Sequence, residues 1–155
     1  MKTMSGIILG LLLICGCSVP SKTVKIYFLQ KDILVAVERE VPTNENPVVI
    51  AIDQLLKGPS EQETADGLTS MIPSGTRSRN VDVEGHTAII DLNSGLLEYE
   101  GGTSEAKAIV SQIIYTATSV KGISQVILKL QGSDQFLIGP AYSIDHPLTR
   151  DDIKD

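Results

Sequence analysis

The chain has 155 residues, about the size of one domain, and its balance of 42% hydrophobic and 21% charged residues is that of an ordinary globular protein. Formal net charge is −6, and removing residues 1–17 takes away one base, Lys2, and no acid, leaving −7. Nucleic-acid affinity rests on Lys and Arg displacing counterions from phosphates, so nucleic-acid binding is excluded as a function. Aromatic residues make up 4% and Trp is absent, so a core has to be built mainly from Val, Ile and Leu.

Met1–Ser5 is a short polar start carrying Lys2, and Gly6–Ile14 is an unbroken apolar run. That run is too short to cross a bilayer, which needs about 20 residues, and has the proportions of a signal-peptide core. It ends in Ile14-Cys15-Gly16-Cys17, which resembles the bacterial lipobox: an aliphatic residue, two small residues and a cysteine. The chemistry needs a small residue before the cut, Gly16, and a thiol after it, Cys17, to receive a diacylglycerol; the new amino terminus is then open to acylation by palmitate-type chains. Cys15 is no substitute, because Ile14 before it is too large. Both cysteines of the chain lie in this segment, so the folded domain has no disulfide framework. At about 0.8 kcal/mol per buried methylene, two or three acyl chains anchor durably. Residues 1–16 are therefore expected to be a lipoprotein signal peptide and 17–23 a lipidated cysteine with its tether. The location implied is the extracytoplasmic face of the cell membrane, with membrane lipid bound through Cys17.

Val24–Leu29 is β-branched and aromatic, a strand by propensity. Ile33–Val41 alternates, with Ile33, Val35, Val37 and Val41 on one parity and Glu38 and Glu40 on the other, and the short Gln30-Lys31-Asp32 link predicts a hairpin. A helix follows: Asn46 caps, Pro47 suits the first turn, Val48, Val49, Ile52, Leu55 and Leu56 form its stripe, and Gly58-Pro59 stops it. Ser60–Gly67 is acidic and polar, and Leu68–Ile72 leads into a turn at Pro73-Ser74-Gly75.

The order then repeats. Arg77–Val83 and Thr87–Leu92 read as a strand pair joined through Glu84-Gly85-His86, with Ala88, Ile90 and Leu92 facing the core. Thr103 or Ser104 is expected to cap a second helix whose stripe is Ala106, Ile109, Val110, Ile113, Ile114 and Ala117, ended by Gly122. Ile123–Leu130 is a strand with Val126, Leu128 and Leu130 inward, and Gln135–Ile138 is expected to pair back onto it across Gly132-Ser133-Asp134. Gly139–Asp155, rich in Pro and charge, is expected to lie along the surface or fray as a C-terminal extension. The order ββα-ββα-ββ predicts an α+β fold, an antiparallel or mixed β-sheet with two helices packed on one face, over residues 24–138.

Several of these segments coincide in order: Leu56-Lys57-Gly58-Pro59, the run Gly67–Thr76, Ala88–Leu92, a helix opening on Glu105-Ala106 and reaching Tyr115–Thr118, and Val126–Gly132. In that order they resemble the GerMN domain of sporulation and spore-germination lipoproteins. The likeness spans roughly residues 24–138, room for one such domain where the best-known sporulation members carry two. The resemblance implies a non-enzymatic extracytoplasmic module without a cofactor. Its partners would be other envelope proteins, including further copies of itself.

The residues that invite chemistry have plainer readings. Ser104-Glu105-Ala106-Lys107 is an S-x-x-K string, but no Ser-Asp-Asn or Lys-Thr-Gly follows, so Ser104 reads as a helix cap and Lys107 as a solvated base. Counting a calcium loop from Asp91 puts Leu96 where Gly is needed and Gly102 where the bidentate Glu is needed, so Asp91, Asn93, Glu98 and Glu100 read as turn residues. His86 and His146 have no cysteine beyond Cys17 to join them in a metal site and no evident nucleophile to serve. Glu38 and Glu40, about 7 Å apart on one strand face, approach glycosidase spacing but fit a solvated face. The expected function is thus a membrane-anchored interaction module for envelope assembly in sporulation or germination. The alternative is a lipoprotein that binds cell-wall glycan or another small ligand, and an envelope hydrolase comes third.

Overall fold

The computed structural model describes residues 21–42 and 44–153. The expected signal peptide with its cleavage at Gly16, the expected lipidation at Cys17, and residues 18–20 lie outside that range. Strands β1 (Ser21–Gln30) and β2 (Ile33–Pro42) form an antiparallel hairpin. Its turn residues Lys31 and Asp32 both have positive φ, 50° and 66°, the primed turn geometry that matches strand twist. The ladder begins earlier than expected: Ser21, Lys22 and Thr23 pair with Pro42, Val41 and Glu40, so half of the expected tether is strand. Val24, Ile26 and Phe28 are buried on the core face, opposite Arg39, Val37 and Val35.

Helix α1 (Pro47–Lys57) starts as expected, with the Asn46 side chain accepting from Val48 N–H at 3.0 Å and Pro47 in the first turn. It ends at Gly58, whose φ of 80° suits glycine and whose N–H donates to Leu55 O. Its buried face is Val48, Ile50, Ala51, Ile52 and Leu55, with Val49 and Leu56 only partly covered. A short helix α2 (Glu61–Ala65) occupies the acidic stretch, where no apolar stripe announces one. Ser60 and Glu63 close a capping box, Ser60 N–H donating to the Glu63 carboxylate at 2.7 Å and Glu63 N–H to Ser60 Oγ at 3.3 Å.

Strands β3 (Ser78–Glu84) and β4 (Thr87–Leu92) are antiparallel, joined by a turn whose first residue, Gly85, has φ 60°. Strand β5 (Gln125–Leu130) lies parallel to β4, giving the order β3-β4-β5. A parallel neighbour demands a long crossover, and helix α3 (Thr103–Ala117) supplies it. The cap of α3 is Gly102, not Thr103 or Ser104; Gly102 N–H donates to the Glu105 carboxylate at 2.9 Å. All six expected stripe residues of α3 are buried, and α3 ends at Ala117 with Thr118 as its cap, before Gly122. Helices α1 and α3 touch each other and β1, and reach β3 and β5 respectively. The fold class is α+β as expected, built as three small sheets rather than one.

In the C-terminal third one expectation is corrected, and of the two alternatives for the extension one drops out. Residues 135–138 do not pair back on β5: β6 (Phe136–Ile138) pairs with β7 (Tyr142–Ile144). After β5 the Gln131 N–H donates to Leu92 O and Gly132 N–H to Asp91 Oδ1, which turns the chain toward the end of β4 instead of back along β5. Nor does the extension fray. Leu148 exchanges both backbone hydrogen bonds with Val126, at 2.8 and 2.7 Å, and Leu148 and Ile153 are buried. The Arg150 guanidinium donates to Thr118 Oγ1 and Tyr115 O at the end of α3 and lies 4.5 Å from the Tyr115 ring centre. Apolar Leu148 and Ile153 among the charges explain the docking.

Candidate functional site

The buried polar residues of α3 serve one edge of the first hairpin. The side of β1 away from β2 would expose the backbone of Lys25, Tyr27 and Leu29. Thr116 Oγ1 accepts from Tyr27 N–H at 3.0 Å, Gln112 Nε2 donates to Tyr27 O at 3.2 Å, and Ser119 Oγ donates to Lys25 O at 2.9 Å. Leu29 exchanges backbone bonds with Thr69, at 2.9 and 2.8 Å. Gln112 Oε1 also accepts from Met71 N–H at 2.9 Å, so one fully buried amide joins helix, strand and loop. Gln112 and Thr116 lie one turn apart on one face of α3 and Ser119 follows just past its end; together with Thr69 they cover most of this side of β1.

The end of the Gly67–Thr76 run meets the loop that follows Asp91-Leu92 in a double loop. Asn93 accepts from Arg77 N–H at 2.9 Å and donates to Gly75 O at 3.1 Å. Gly95 packs directly on the backbone of Gly75, leaving no room for a Cβ. Asp91 accepts from Gly132 N–H and forms an ion pair with Arg79, each at 2.9 Å. Asp91 and Asn93, weighed above as calcium ligands, are thus engaged as loop fasteners. Among the described residues no group of three or more metal-capable side chains converges.

Beside this loop, at the C-terminal end of α1, lies an open cleft of about 740 Å³. Leu56, Leu68 and Ile72 give it an apolar floor, and Asp53, Lys57 and Arg77 are among its polar lining. Asp53 accepts from Ser78 Oγ at 2.9 Å, while Arg77 holds Ser74 O and Thr76 O. The pattern reading missed this cleft, because its walls come from segments far apart in sequence.

The remaining candidates stay apart. Ser104 is exposed in the first turn of α3, and Lys107 lines a separate groove with it. His86 Nδ1 lies 2.7 Å from Gly122 O, pinning the β3–β4 turn. His146 Nδ1 lies 2.7 Å from Asp145, whose hydrogen bond, aided by Asp152, raises the imidazole pKa above its ordinary value. Glu38 and Glu40 are exposed, Glu38 sitting 3.7 Å from Lys25. A better-built carboxylate is Glu63, paired with Arg39 at 2.6 Å. Burial raises its pKa, but the Ser60 amide and Arg39 outweigh that, so its carboxyl sits below the usual range. Arg39 also donates to Gln54 at 2.8 Å, tying β2 to α1 and α2.

The chain is thus a small α+β domain in which the loop after α2 is fastened to the loop after β4 by Asn93 and Gly95. The family model Germane, described as sporulation and spore germination, matches residues 25–135, and the chain belongs to that family. Among solved structures it is similar to the tandem GerMN domains of the sporulation protein GerM from Bacillus subtilis, with TM-score 0.67 and 18% identity over 83% of this chain. It spans 45% of that tandem chain, under half its length. The first GerMN domain of the same protein matches with TM-score 0.62 and 21% identity, covering 84% of this chain and 98% of that one. A candidate lipoprotein from Clostridium perfringens matches with TM-score 0.60 and 22% identity, over 87% and 91% of the two chains. A search of curated proteins finds no match. Among the described residues no helix is long and apolar enough to cross a membrane.

Proposed function

We propose that this chain is a lipid-anchored module at the extracytoplasmic face of the cell membrane, a non-enzymatic holder of other envelope proteins in sporulation or germination. The observation that most supports this reading is a spacing. Only Ser18, Val19 and Pro20 separate Cys17 from Ser21, the first residue of β1. At about 3.5 Å per extended residue such a link reaches roughly 10–14 Å, so an anchor at Cys17 would hold the domain against the membrane surface. Family membership supports the sporulation and germination setting. A Cys17→Ser variant should accumulate as unprocessed precursor and take up no radiolabelled lipid; normal labelling would refute the anchor. Crosslinking in sporulating cells should recover specific envelope partners. Recovery of bulk membrane lipoproteins alone would end the assembly reading.

The cleft of about 740 Å³ favours a second reading, binding of cell-wall glycan or another small ligand. Soluble glycan fragments should then shift the amide resonances of Ser70 and Arg77. Unchanged spectra at saturating fragment would remove that reading.

A further inference from the structure

The two edges of the first hairpin are treated differently. On the outward side of β1 the Lys25 carbonyl accepts from Ser119, and both backbone groups of Tyr27 and of Leu29 are bonded, to Thr116 and Gln112 and to Thr69. Their ladder partners are Glu38, Ala36 and Leu34. In an antiparallel pair, residues directly opposite share the same bonding state, so these three point their N–H and C=O groups away from β1 as well. Among the described residues no other segment bonds to that outer edge of β2.

Natural edge strands are usually blunted by charge or proline. Here the protection covers half the strand. Glu38, Glu40 and Pro42 guard the end near Ser21, whereas Ile33-Leu34-Val35-Ala36-Val37 toward the tip carries no charge. Ile33 is 69% exposed, and Val35 and Val37 are only partly buried.

We propose that the outer edge of β2 is a docking site for an extended segment of a partner protein, added as an antiparallel strand, with basic residues at its start and apolar residues after them. The charge row selects this occupant: residues opposite Glu40 and Glu38 meet acid, and those opposite Ala36 and Leu34 meet apolar surface. A second copy of this chain does not fit. Its own outward row, Asp32, Leu34, Ala36, Glu38 and Glu40, contains no cation in any register that pairs outward groups with outward groups. The proposal rests on the interaction-module reading above and names the surface that does the holding.

The test uses the full-length protein in detergent micelles and a synthetic heptapeptide with lysines at its first and third positions, valines at its fifth and seventh, and threonines between. A control carries glutamates in place of the lysines. The lysine peptide should slow hydrogen exchange of the Leu34, Ala36 and Glu38 amides about tenfold. Ala36→Pro removes only an outward N–H, so it should keep the thermal midpoint while weakening binding at least about tenfold. The Glu38→Lys/Glu40→Lys double variant should prefer the glutamate peptide, and it serves if the proline variant folds poorly. No binding, equal affinity for both peptides, or protection confined to other residues would overturn the proposal. The assay does not depend on lipid at Cys17, so failure of the anchor and failure of the edge are read separately.

Discussion

Replacing Thr116 by Val tests whether α3 secures the hairpin through hydrogen bonds or through packing alone. Thr116 is fully buried, and its hydroxyl accepts from Tyr27 N–H at 3.0 Å, across 89 residues of sequence. Valine has nearly the same shape, so it leaves no cavity. What changes is that a backbone donor in the interior loses its acceptor, at a cost of about 1–3 kcal/mol. A methyl buried in place of a hydroxyl offsets part of this, so a net loss of about 1–2 kcal/mol is expected. For a domain of this size that lowers the thermal midpoint by roughly 3–8 °C. Thr116→Ser keeps the acceptor and should restore most of the bond while losing a methyl. Thermal unfolding followed by circular dichroism gives the totals, and hydrogen exchange at the Tyr27 amide locates the effect. A Val variant as stable as the parent, with Tyr27 still protected, would show that the edge needs no partner from α3.

Three further substitutions probe other parts of the fold. Gly95→Ala drives a Cβ into the Gly75 backbone and should cost about 1–3 kcal/mol in urea denaturation; an unchanged midpoint would mean the double loop yields freely. Glu63 has a folded-state pKa below its unfolded value, so its stabilising contribution is present above the ordinary carboxylate range and fades as pH falls through the depressed value. Glu63→Gln should therefore flatten the loss of stability on acidification, and an identical pH profile would contradict the Arg39 pairing. Truncation after Pro147 removes the buried Leu148 and Ile153. At about 1.5–3 kcal/mol each it should destabilise by at least roughly 3 kcal/mol, whereas a frayed extension would be lost at no cost.

What could be read in the sequence was local. Asn46, Pro47 and Gly58 set the limits of α1 through capping chemistry that acts within a few residues. The stripe of α3, Ala106 to Ala117, follows from a periodicity that burial enforces. The Ser60–Glu63 box was also legible, since S-x-x-E opens a helix, but the absence of an apolar stripe hid it: none of the α2 residues is buried. The roles of polar Gln112 and Thr116 on an otherwise apolar helix, and of Ser119 just after it, are not legible because their partners lie 85 to 94 residues away. The cleft beside Lys57 and Arg77 and the open edge of β2 were illegible for the same reason. Both depend on which segments become neighbours, and on which neighbour is missing.

The position of β1 has a mechanical consequence. An anchor at Cys17 would pull on Ser21, the first residue of the strand, along the strand's own direction. That strand is bonded on one side to β2 along its whole length and on the other, at Lys25, Tyr27 and Leu29, to Ser119, α3 and Thr69. Tension between the membrane and a partner seated on β2 would shear both rows of bonds at once instead of peeling them one after another. Such an arrangement resists force far better than its modest number of bonds suggests, and it places that resistance at the joint between tether and domain.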